Sequence, residues 1–409
     1  MKQRTAMVLA AFMLIVTTAA VASGITYMTL DGRRYADGDM VMISAEDYAR
    51  YSQYTRLQEV KDIIDREYFL EPDGDALFEG AARGMLASLG DPYSFYYSPD
   101  QMLAFYDHAD GSEYVGIGIQ MRIDPDDGLI IVTRVFKGSS ALAAGILPGD
   151  KIIGVFGEDV RGLDMDAVRD RVVGEAGTEA QITILRDGQE LDFTLERVQV
   201  VINRTEHRMV TDTVGLITLY EFMGDDVKGF DAAISELKKQ GMKALILDIR
   251  GNPGGFVSDV VPITDRLVPE GLVMYTEDRY GNRVEQPSTR GYLDIPLVVL
   301  VNELSASASE ILAGAVQDHE VGTVVGETTF GKGIVQTVHT FPSDGAGLQL
   351  TVSKYYTPNG RSIHEIGITP DVEVIMPEEL KTKAVLEDAE DVQLQKGIEI
   401  LEQALNADE

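Results

Sequence analysis

The chain of 409 residues contains no cysteine. That absence excludes a disulfide framework, a thiol nucleophile and a zinc site with thiolate ligands. Histidine is also scarce, and no two of the five histidines have the spacing of a zinc-binding pair such as H-E-x-x-H. The five are His108, His207, His319, His339 and His364. Neither thiol chemistry nor a recognisable zinc motif is therefore present.

Basic residues are outnumbered almost two to one. The chain has 35 lysines and arginines against 67 aspartates and glutamates, which gives a formal net charge of −32. A surface of this charge repels phosphate backbones, so we expect no nucleic-acid partner. With 44% hydrophobic residues the chain can bury a sizeable core. Its length predicts two or three domains.

Charge is also absent from one long stretch near the N-terminus. Lys2 and Arg4 precede 26 uncharged residues from Thr5 to Leu30, more than the roughly 20 needed to span a bilayer. The positive end should stay in the cytoplasm and the rest of the chain should be exported. Residues Ala20 to Ala22 also offer an A-x-A cleavage site. We favour an uncleaved anchor, which predicts an extracytoplasmic protein tethered to the cell membrane.

After this signal peptide or anchor (1–30), the pattern of residues changes three times. Residues 31–111 read as a polar linker followed by amphipathic helices, and 112–198 as short β-rich runs separated by Gly, Asp and Pro. Residues 199–376 alternate buried strands with helices, which is typical of a sheet with helical crossovers. Residues 377–409 end in one more amphipathic helix.

The stretch NELSASASEILAGAVQDH (Asn302 to His319) crowds three serines between a buried strand and an apolar helix. A serine before a helix is usually an N-cap. Three exceed what capping requires, and strand-to-helix junctions are where α/β proteins place reactive groups. The helix N-terminus also offers N–H groups and a positive dipole end to a developing oxyanion. One of these serines is therefore a candidate nucleophile.

A nucleophilic serine needs a base, and His319 lies about three turns away on the same predicted helix. Lys332, in the stretch VVGETTFGKGIVQT, has apolar neighbours and two flanking glycines. A lysine in an apolar pocket has a lowered pKa and can act as a general base. Gly326 to Lys332 also matches the G-x-x-x-x-G-K phosphate loop, but Gly333 stands where that loop requires Ser or Thr. We therefore reject a nucleotide-binding loop and favour a Ser–Lys pair.

Two glycine-rich turns are candidates for binding a peptide. DIRGNPGGF, which follows a buried strand, is either a tight turn or a nest of N–H groups that lets a substrate backbone approach. YVGIGI is either a simple bulge or a loop that captures the C-terminal carboxylate of a peptide beside a strand edge. The residues alone leave both pairs of alternatives open.

Taken together and in order, these segments resemble the C-terminal processing (tail-specific) proteases, exported serine peptidases that carry a PDZ domain. The resemblance runs from about Leu57 to Leu405 and rests on the motifs GDPYS, GIG, PGD-I, D-R-NPGG, SASASE, GE-TFGKG-VQ, GITPD and QL-K. It implies an α/β multidomain protein with a crotonase-like α/β protease core (199–376), an inserted β-rich PDZ domain (112–198), and helical segments at both ends.

The resemblance also implies roles for individual residues. Ser307 is the nucleophile, Lys332 its general base, and Gln336 orients the lysine. The backbone N–H groups of Ala308 and of Gly254 or Gly255 form the oxyanion hole. The PDZ loop that binds the substrate carboxylate comprises Gly116, Ile117, Gly118 and Ile119. Ser305 and Ser309 keep capping and packing roles.

This interpretation makes the chain a serine endopeptidase that acts on polypeptides with apolar C-termini. It implies no metal or organic cofactor, and the terminal helices are candidates for a homodimer interface. The chain departs from the family where Val173 occupies a position that is basic in several members; Arg171 lies two residues earlier. Two alternatives on the same fold remain, a catalytically inactive peptide-binding scaffold and a ligand-binding protein.

Overall fold

The computed structural model describes residues 44–407 apart from 53, 111–112, 125–126, 290 and 382–385. The predicted signal or anchor, residues 1–30, lies outside the described residues. The chain divides into two compact units, Met1–Ala81 and Ala82–Glu409. None of the helices formed by the described residues combines the length and the apolar character that a bilayer-spanning segment requires.

The described N-terminal residues are helical, as the sequence predicts. The helices are α1 (Ala45–Ser52), α2 (Thr55–Glu67) and α3 (Gly74–Ala87). Helix α2 buries none of its side chains. A short strand, β1 (Phe95–Tyr97), and helix α4 (Pro99–Asp110) follow.

A β-rich module comes next. Its strands are β2 (Glu113–Gly116), β3 (Ile119–Ile123), β4 (Ile130–Val135), β5 (Lys151–Val155), β6 (Glu158–Asp159), β7 (Glu179–Arg186), β8 (Gln189–Glu196) and β9 (Val198–Val201), and its helices are α5 (Ser140–Ala144) and α6 (Met165–Val172). The main sheet is antiparallel in the order β3-β4-β5-β7-β8, so β3 forms one edge. Strands β2 and β9 pair where the chain enters and leaves the module.

The largest part of the chain is an α/β core. Its elements are β10 (Thr205–Met209), β11 (Val214–Leu219), α7 (Asp226–Lys239), β12 (Ala244–Asp248), α8 (Val257–Asp265), β13 (Gly271–Asp278), β14 (Arg283–Ser288), β15 (Leu297–Val301), α9 (Ala308–Asp318), β16 (Thr323–Gly326), β17 (Ile334–Thr340), β18 (Gly347–Tyr356), β19 (Val372–Glu373), α10 (Glu378–Lys381) and α11 (Val392–Ala407). The principal sheet runs β10-β11-β12-β15-β16-β19 and is parallel except for β10.

Alternation along the buried strands explains the layers of this core. Leu245 and Leu247 of β12 point to the face covered by α7, α8 and α9. Ile246, between them, points to the opposite face, which α11 covers with Leu394 and Leu401. Successive side chains of a strand point to opposite faces, so a fully apolar strand requires helices on both sides.

A second, antiparallel sheet joins β17, β18, β13 and β14. Strand β1, which precedes the β-rich module in sequence, pairs with β18 of this sheet. The module therefore interrupts the core. This confirms the predicted fold class, a mixed α/β multidomain protein with helical N-terminal residues, a β-rich module and an α/β core built on a parallel sheet.

Candidate active site

Ser307 lies at the junction between β15 and α9. It is the residue before the helix, with φ 56° and ψ −114°. For a residue with a side chain this positive φ is a strained conformation, and such strain is concentrated at functional sites. The Ser307 carbonyl accepts a hydrogen bond from the Tyr355 hydroxyl at 2.8 Å. The junction therefore presents Ser307 from a backbone that is fixed on both sides.

The two neighbouring serines anchor the junction to the turn that follows β12. Ser305 Oγ donates to Ile249 O at 2.8 Å and accepts from Asn302 N at 3.0 Å. Ser309 Oγ donates to Asn252 O at 2.9 Å. Both side chains are fully buried. Neither serine caps α9, so the predicted capping role is replaced by a bridge between two loops.

Glu310 was not singled out by sequence analysis, although it lies at the centre of the site. Its buried carboxylate accepts four hydrogen bonds, from the N–H groups of Ser307, Gly331 and Lys332 and from the Thr329 hydroxyl, at 2.7, 2.7, 2.9 and 2.6 Å. Burial raises the pKa of Glu310, and these hydrogen bonds oppose the rise. The S-x-x-E spacing of a capping box was the signal that could have identified it.

Glu310 thus connects the backbone of Ser307 to the loop that carries Lys332. Gly331 in that loop has φ 88°, and a Cβ there would lie 3.0 Å from the backbone of Gly367. After Lys332 the chain enters strand β17 rather than a helix. The nucleotide-binding loop rejected from the sequence requires a helix at this point.

The side chain of Lys332 is largely buried. Burial lowers its pKa, while the negative charges of Asp91 and Glu310 act in the opposite direction. Its Nζ lies 4.6 Å from the centre of the Tyr93 ring. A buried lysine whose positive charge is only partly compensated loses its proton at lower pH than a free lysine does. It can therefore act as a base closer to neutral pH.

Gln336 lies four residues after Lys332, on strand β17. The register of β17 and β18 shifts between Val335 and Gln336, and a bulge of this kind re-aims a side chain. The Gln336 amide donates to Thr351 Oγ1 at 3.3 Å. In this structure the amide is therefore bonded to β18 and makes no hydrogen bond to Lys332.

The NPGG turn approaches Ser307 as closely as two backbones allow. A Cβ on Gly254 would lie 2.9 Å from the Ala308 nitrogen and 2.9 Å from Ser307 Cβ, and one on Gly255 would lie 2.1 Å from Phe222 O. Both glycines have positive φ, 104° and 148°. Only glycine fits at these two positions, for steric and conformational reasons together.

The amides of the two glycines differ. Gly254 N–H donates to Asn252 Oδ1 at 2.8 Å, whereas Gly255 N–H has no acceptor among the described residues. Ala308 is the first residue of α9, so its N–H has no partner within the helix. The Ala308 and Gly255 amides are therefore the donors available to an oxyanion.

One cavity of about 390 Å³ brings these groups together. It is lined by Ser307, Lys332, Gln336, Gly254 and Gly255, and by largely apolar side chains that include Phe105, Met223, Phe256, Ile311, Val338 and Tyr355. His319, in contrast, lies beyond the far end of α9, where its Nε2 is 2.8 Å from Leu272 O. His319 is therefore not available as the base for Ser307.

Comparison with known proteins identifies the family. Residues 213–374 match peptidase family S41. The carboxy-terminal processing protease CtpA of Bacillus subtilis (strain 168) is 33% identical over 373 residues, which cover 90% of this chain and 78% of that protein. The chain belongs to peptidase family S41. It is a C-terminal processing serine protease with a PDZ domain, because residues 106–185 match the PDZ domain.

Further S41 comparisons agree. A probable CtpA-like serine protease of Staphylococcus aureus (strain COL) is 34% identical over 339 residues, 82% of this chain and 67% of that protein. The solved photosystem II D1 C-terminal processing protease is 32% identical, with a TM-score of 0.61, over 79% of this chain and 88% of that one. Residues 18–100 match the N-terminal domain of the activating protease CtpB.

In the PDZ domain, the predicted carboxylate loop follows β2 and leads into the edge strand β3. Gly118 has φ 85°, and a Cβ there would lie 2.0 Å from Ser139 Cβ. Two carbonyls of the loop are already bonded: Ala141 N donates to Ile117 O and Phe136 N to Gly118 O, both at 3.0 Å. The loop is therefore closed on its carbonyl side against the domain.

The departure at Val173 has a structural counterpart that sequence analysis missed. Val173 is exposed at the end of α6. The guanidinium of Arg197, buried next to this turn, donates to the carbonyls of Val172, Arg171 and Glu179 at 2.8, 3.0 and 2.7 Å. Arg171 itself turns back to Ala167 O at 2.6 Å. The basic side chain at the C-terminal end of α6 is therefore that of Arg197, which follows strand β8, and not one at position 173.

Proposed function

We propose that Ser307 and Lys332 form the catalytic dyad of this S41 protease. The observation that supports the pair most is the shared cavity, which is lined both by the strained Ser307 and by a lysine whose pKa is lowered by burial. In the reaction, neutral Lys332 takes the proton of Ser307 Oγ as the oxygen attacks the scissile carbonyl. The protonated amine then gives a proton to the leaving nitrogen, and water hydrolyses the acyl-enzyme.

The oxyanion hole of this mechanism consists of the Ala308 and Gly255 N–H groups. Donors that are in place before the reaction stabilise the tetrahedral intermediate without reorganisation. Gly254 serves the hole indirectly, since its N–H is occupied by Asn252 and its lack of a side chain lets the turn approach Ser307. Gln336 becomes the partner of Lys332 once its amide leaves Thr351.

The PDZ domain, in this proposal, binds the apolar C-terminal tail of the polypeptide to be cleaved. Strand β3 is the edge of its sheet, and an extended peptide can add to such an edge. The Gly116–Ile119 loop at the start of β3 supplies N–H groups for the carboxylate. Gln120, the next residue of β3, lines the catalytic cavity and donates to Glu221 at 2.6 Å. The proposed peptide-binding edge therefore has one residue, Gln120, in the wall of the catalytic cavity.

The dyad is tested with residues 31–409 on an unstructured protein with an apolar C-terminus. Ser307→Ala and Lys332→Ala should lose cleavage by about 10⁴-fold or more, while Lys354→Ala, an exposed lysine of β18, should cleave as the wild type does. Wild-type kcat/KM should rise with pH through one pKa below that of a free lysine. Cleavage by Lys332→Ala would remove lysine as the base.

Phosphonate labelling distinguishes this proposal from a binding scaffold on the same fold. A covalent adduct on Ser307 requires an activated serine, which a scaffold does not have. Substrates with an amidated or an acidic terminus test the tail recognition, and they should be cleaved more slowly than one with a free apolar terminus. Equal rates for all three would leave the PDZ domain without a role in selection.

We further propose an exported, membrane-tethered homodimer. The uncharged stretch Thr5–Leu30 supports the tether.

The dimer is supported by helix α2, where Leu57, Val60 and Ile63 are each about half exposed. Apolar side chains on one helix favour burial against a partner. Val60→Asp should shift the sedimentation of residues 31–409 from dimer to monomer. A monomeric wild type would exclude the dimer.

A further inference from the structure

The motif GDPYS (Gly90 to Ser94) has no assigned role in the mechanism above, yet its residue Tyr93 lies against Lys332. Asp91 accepts hydrogen bonds from Tyr93 N at 3.0 Å and from Ser94 Oγ at 2.5 Å. Ser94 Oγ in turn accepts from Thr351 N at 3.0 Å. The segment is therefore rigid and is fixed to strand β18.

Tyr93 presents its ring to Lys332. The Nζ lies 4.6 Å from the ring centre, within the distance at which an ammonium is attracted to an aromatic face. Burial and the negative charges of Asp91 and Glu310 raise the pKa of the Tyr93 phenol. The phenol is thus neutral at working pH. Its contact with the Lys332 ammonium is a cation–π interaction.

In this position the lysine is not engaged with the nucleophile. Lys332 Nζ makes no hydrogen bond to Ser307 Oγ, and the Gln336 amide donates to Thr351 instead of to the lysine. Thr351 is also bonded to the GDPYS segment, because its backbone N–H donates to Ser94 Oγ. The GDPYS segment therefore holds both groups of the base, Lys332 through Tyr93 and Gln336 through Thr351.

We propose that Tyr93 is a positioning residue that holds the Lys332 ammonium in a resting position, away from Ser307. The inference rests on the Ser307–Lys332 dyad proposed above. The ring attracts the protonated amine and not the neutral one, so it stabilises the form of the lysine that cannot act as a base. Loss of the proton releases the amine toward Ser307. Tyr93 thereby raises the pH at which the enzyme becomes active.

The other titratable groups around Lys332 set the background for this effect. Asp91 in the same segment and Glu310 on α9 favour the charged lysine. Tyr355 of β18 stays neutral, since burial and the charge of Glu310 raise its pKa well above the ordinary value. A change confined to the Tyr93 ring leaves these three groups in place, so any shift of the pH profile reports the ring itself.

The test compares Tyr93→Leu and Tyr93→Phe in residues 31–409. The rate of phosphonate labelling of Ser307 and kcat/KM for a peptide are measured from about pH 6 to pH 10, a range that brackets a lowered lysine pKa. Removal of the ring in the Leu variant should move the rising limb to lower pH by roughly half to one unit, and so raise the rate at pH 7 about three- to tenfold. The Phe variant keeps the ring and should follow the wild type.

Two results would overturn the proposal: a rising limb that stays in place in Tyr93→Leu, or an equal shift in Tyr93→Phe, which would assign the effect to the hydroxyl. If the Leu variant does not fold, Tyr93→Met, whose flexible side chain adapts to an aromatic site, must give the same shift. Failure of the dyad itself is a separate outcome, because Lys332→Ala would then label at the wild-type rate whatever the Tyr93 variants do.

Discussion

The two halves of the active site differ in how firmly they are held. The nucleophile half comprises Ser307, Ala308 and the NPGG turn. It is fixed by hydrogen bonds from its backbone N–H groups to the side chains of Glu310 and Asn252, and by two glycines with no space for a side chain. In the base half, the loop is fixed in the same way, but the functional ends of Lys332 and Gln336 are held by a ring contact and a 3.3 Å hydrogen bond.

This difference matches what each half must do. Oxyanion donors stabilise a transition state only if they are in place before charge develops, so rigidity contributes directly to the rate. A general base instead has to change its charge and its hydrogen-bond partner during each turnover. On the proposed mechanism, the molecule combines a preorganised oxyanion hole with a base that moves between two positions.

The largest expected effect comes from breaking the rigid half at Gly255. Gly255→Ala places a methyl group 2.1 Å from Phe222 O, which must displace the Gly255 amide. Loss of one oxyanion donor typically lowers kcat by about 100- to 1,000-fold. Single-turnover acylation of the variant measures this loss directly.

Gly251→Ala is the matched control. Gly251 has φ 71°, and a Cβ there has nothing within 4 Å. This substitution introduces backbone strain of about 1 kcal/mol without moving the amide of Gly255, so stability should fall slightly and kcat should be retained. If both variants lost kcat equally, backbone strain rather than the oxyanion hole would explain the loss.

A smaller effect is expected at Glu310, which joins the two halves. Glu310→Gln removes the charge and replaces one acceptor oxygen with a donor that faces buried N–H groups. Because each hydrogen bond to a buried charge contributes roughly 1.5–3 kcal/mol, we expect the free energy of unfolding to fall by about 2–4 kcal/mol and kcat by at least tenfold. Denaturant unfolding and acylation rates measure the two effects, with exposed Glu320→Gln as the control. An unchanged unfolding midpoint would contradict the bridging role.

Local sequence patterns predicted much of the fold. The helices before the β-rich module, the module itself and the buried strands β12 and β15 lie where periodicity and turn residues indicate. The serine cluster and Lys332 were recognisable as a candidate Ser–Lys pair from their neighbours, but the choice of Ser307 among the three serines came from the resemblance to a family. Periodicity describes neighbours in sequence and carries no information on contacts between distant segments.

The contacts that sequence analysis missed are all of the distant kind. Ser309 bonds Asn252, Glu310 bonds the loop around Gly331, and Gln336 bonds Thr351. For the same reason the sequence left Gly254 and Gly255 equivalent, whereas Asn252 occupies the amide of the first. Roles that depend on which hydrogen bond a polar group makes need the folded chain.

Asp226 tests the support of the rigid half. This buried carboxylate accepts a hydrogen bond from Met223 N at 2.8 Å, next to Phe222, which forms an isolated β-bridge with Gly255 of the NPGG turn. Desolvation by burial raises its pKa to about 7, against the opposing effect of the Met223 N–H. Folding therefore takes up a proton between the unfolded pKa near 4 and pH 7, and stability falls as pH rises through that range.

Asp226→Asn removes this dependence and keeps an acceptor for Met223. The shift of about three pKa units corresponds to roughly 4 kcal/mol at pH 8, and the buried amide that replaces the charge returns part of it. We expect the variant to be more stable by about 1–3 kcal/mol at pH 8, with little gain near pH 4. Thermal unfolding at both pH values checks this pH dependence. A larger gain in stability at pH 4 than at pH 8 would contradict a raised pKa of Asp226.

The sharpest comparison comes from two threonines that bond the two halves, and one of them gives the smallest expected effect. Thr329 Oγ1 is buried, donates to Glu310 and accepts from Ile368 N at 2.7 Å. In the described chain, Thr351 Oγ1 accepts one hydrogen bond, from the Gln336 amide, at the longer distance of 3.3 Å. Thr329→Val should therefore lower the free energy of unfolding by roughly 2–3 kcal/mol, and Thr351→Val by less than about 1 kcal/mol.

The kcat values of the two variants should follow the same order as their stabilities. Thr351→Val releases the Gln336 amide toward Lys332, so kcat should stay within about threefold of the wild type or rise. Thr329→Val leaves Glu310 with one donor fewer and Ile368 N unpaired, which loosens the junction at Ser307 and lowers kcat. Equal losses in both variants would mean that the base half is as rigid as the nucleophile half, and that Lys332 works from the position it already occupies.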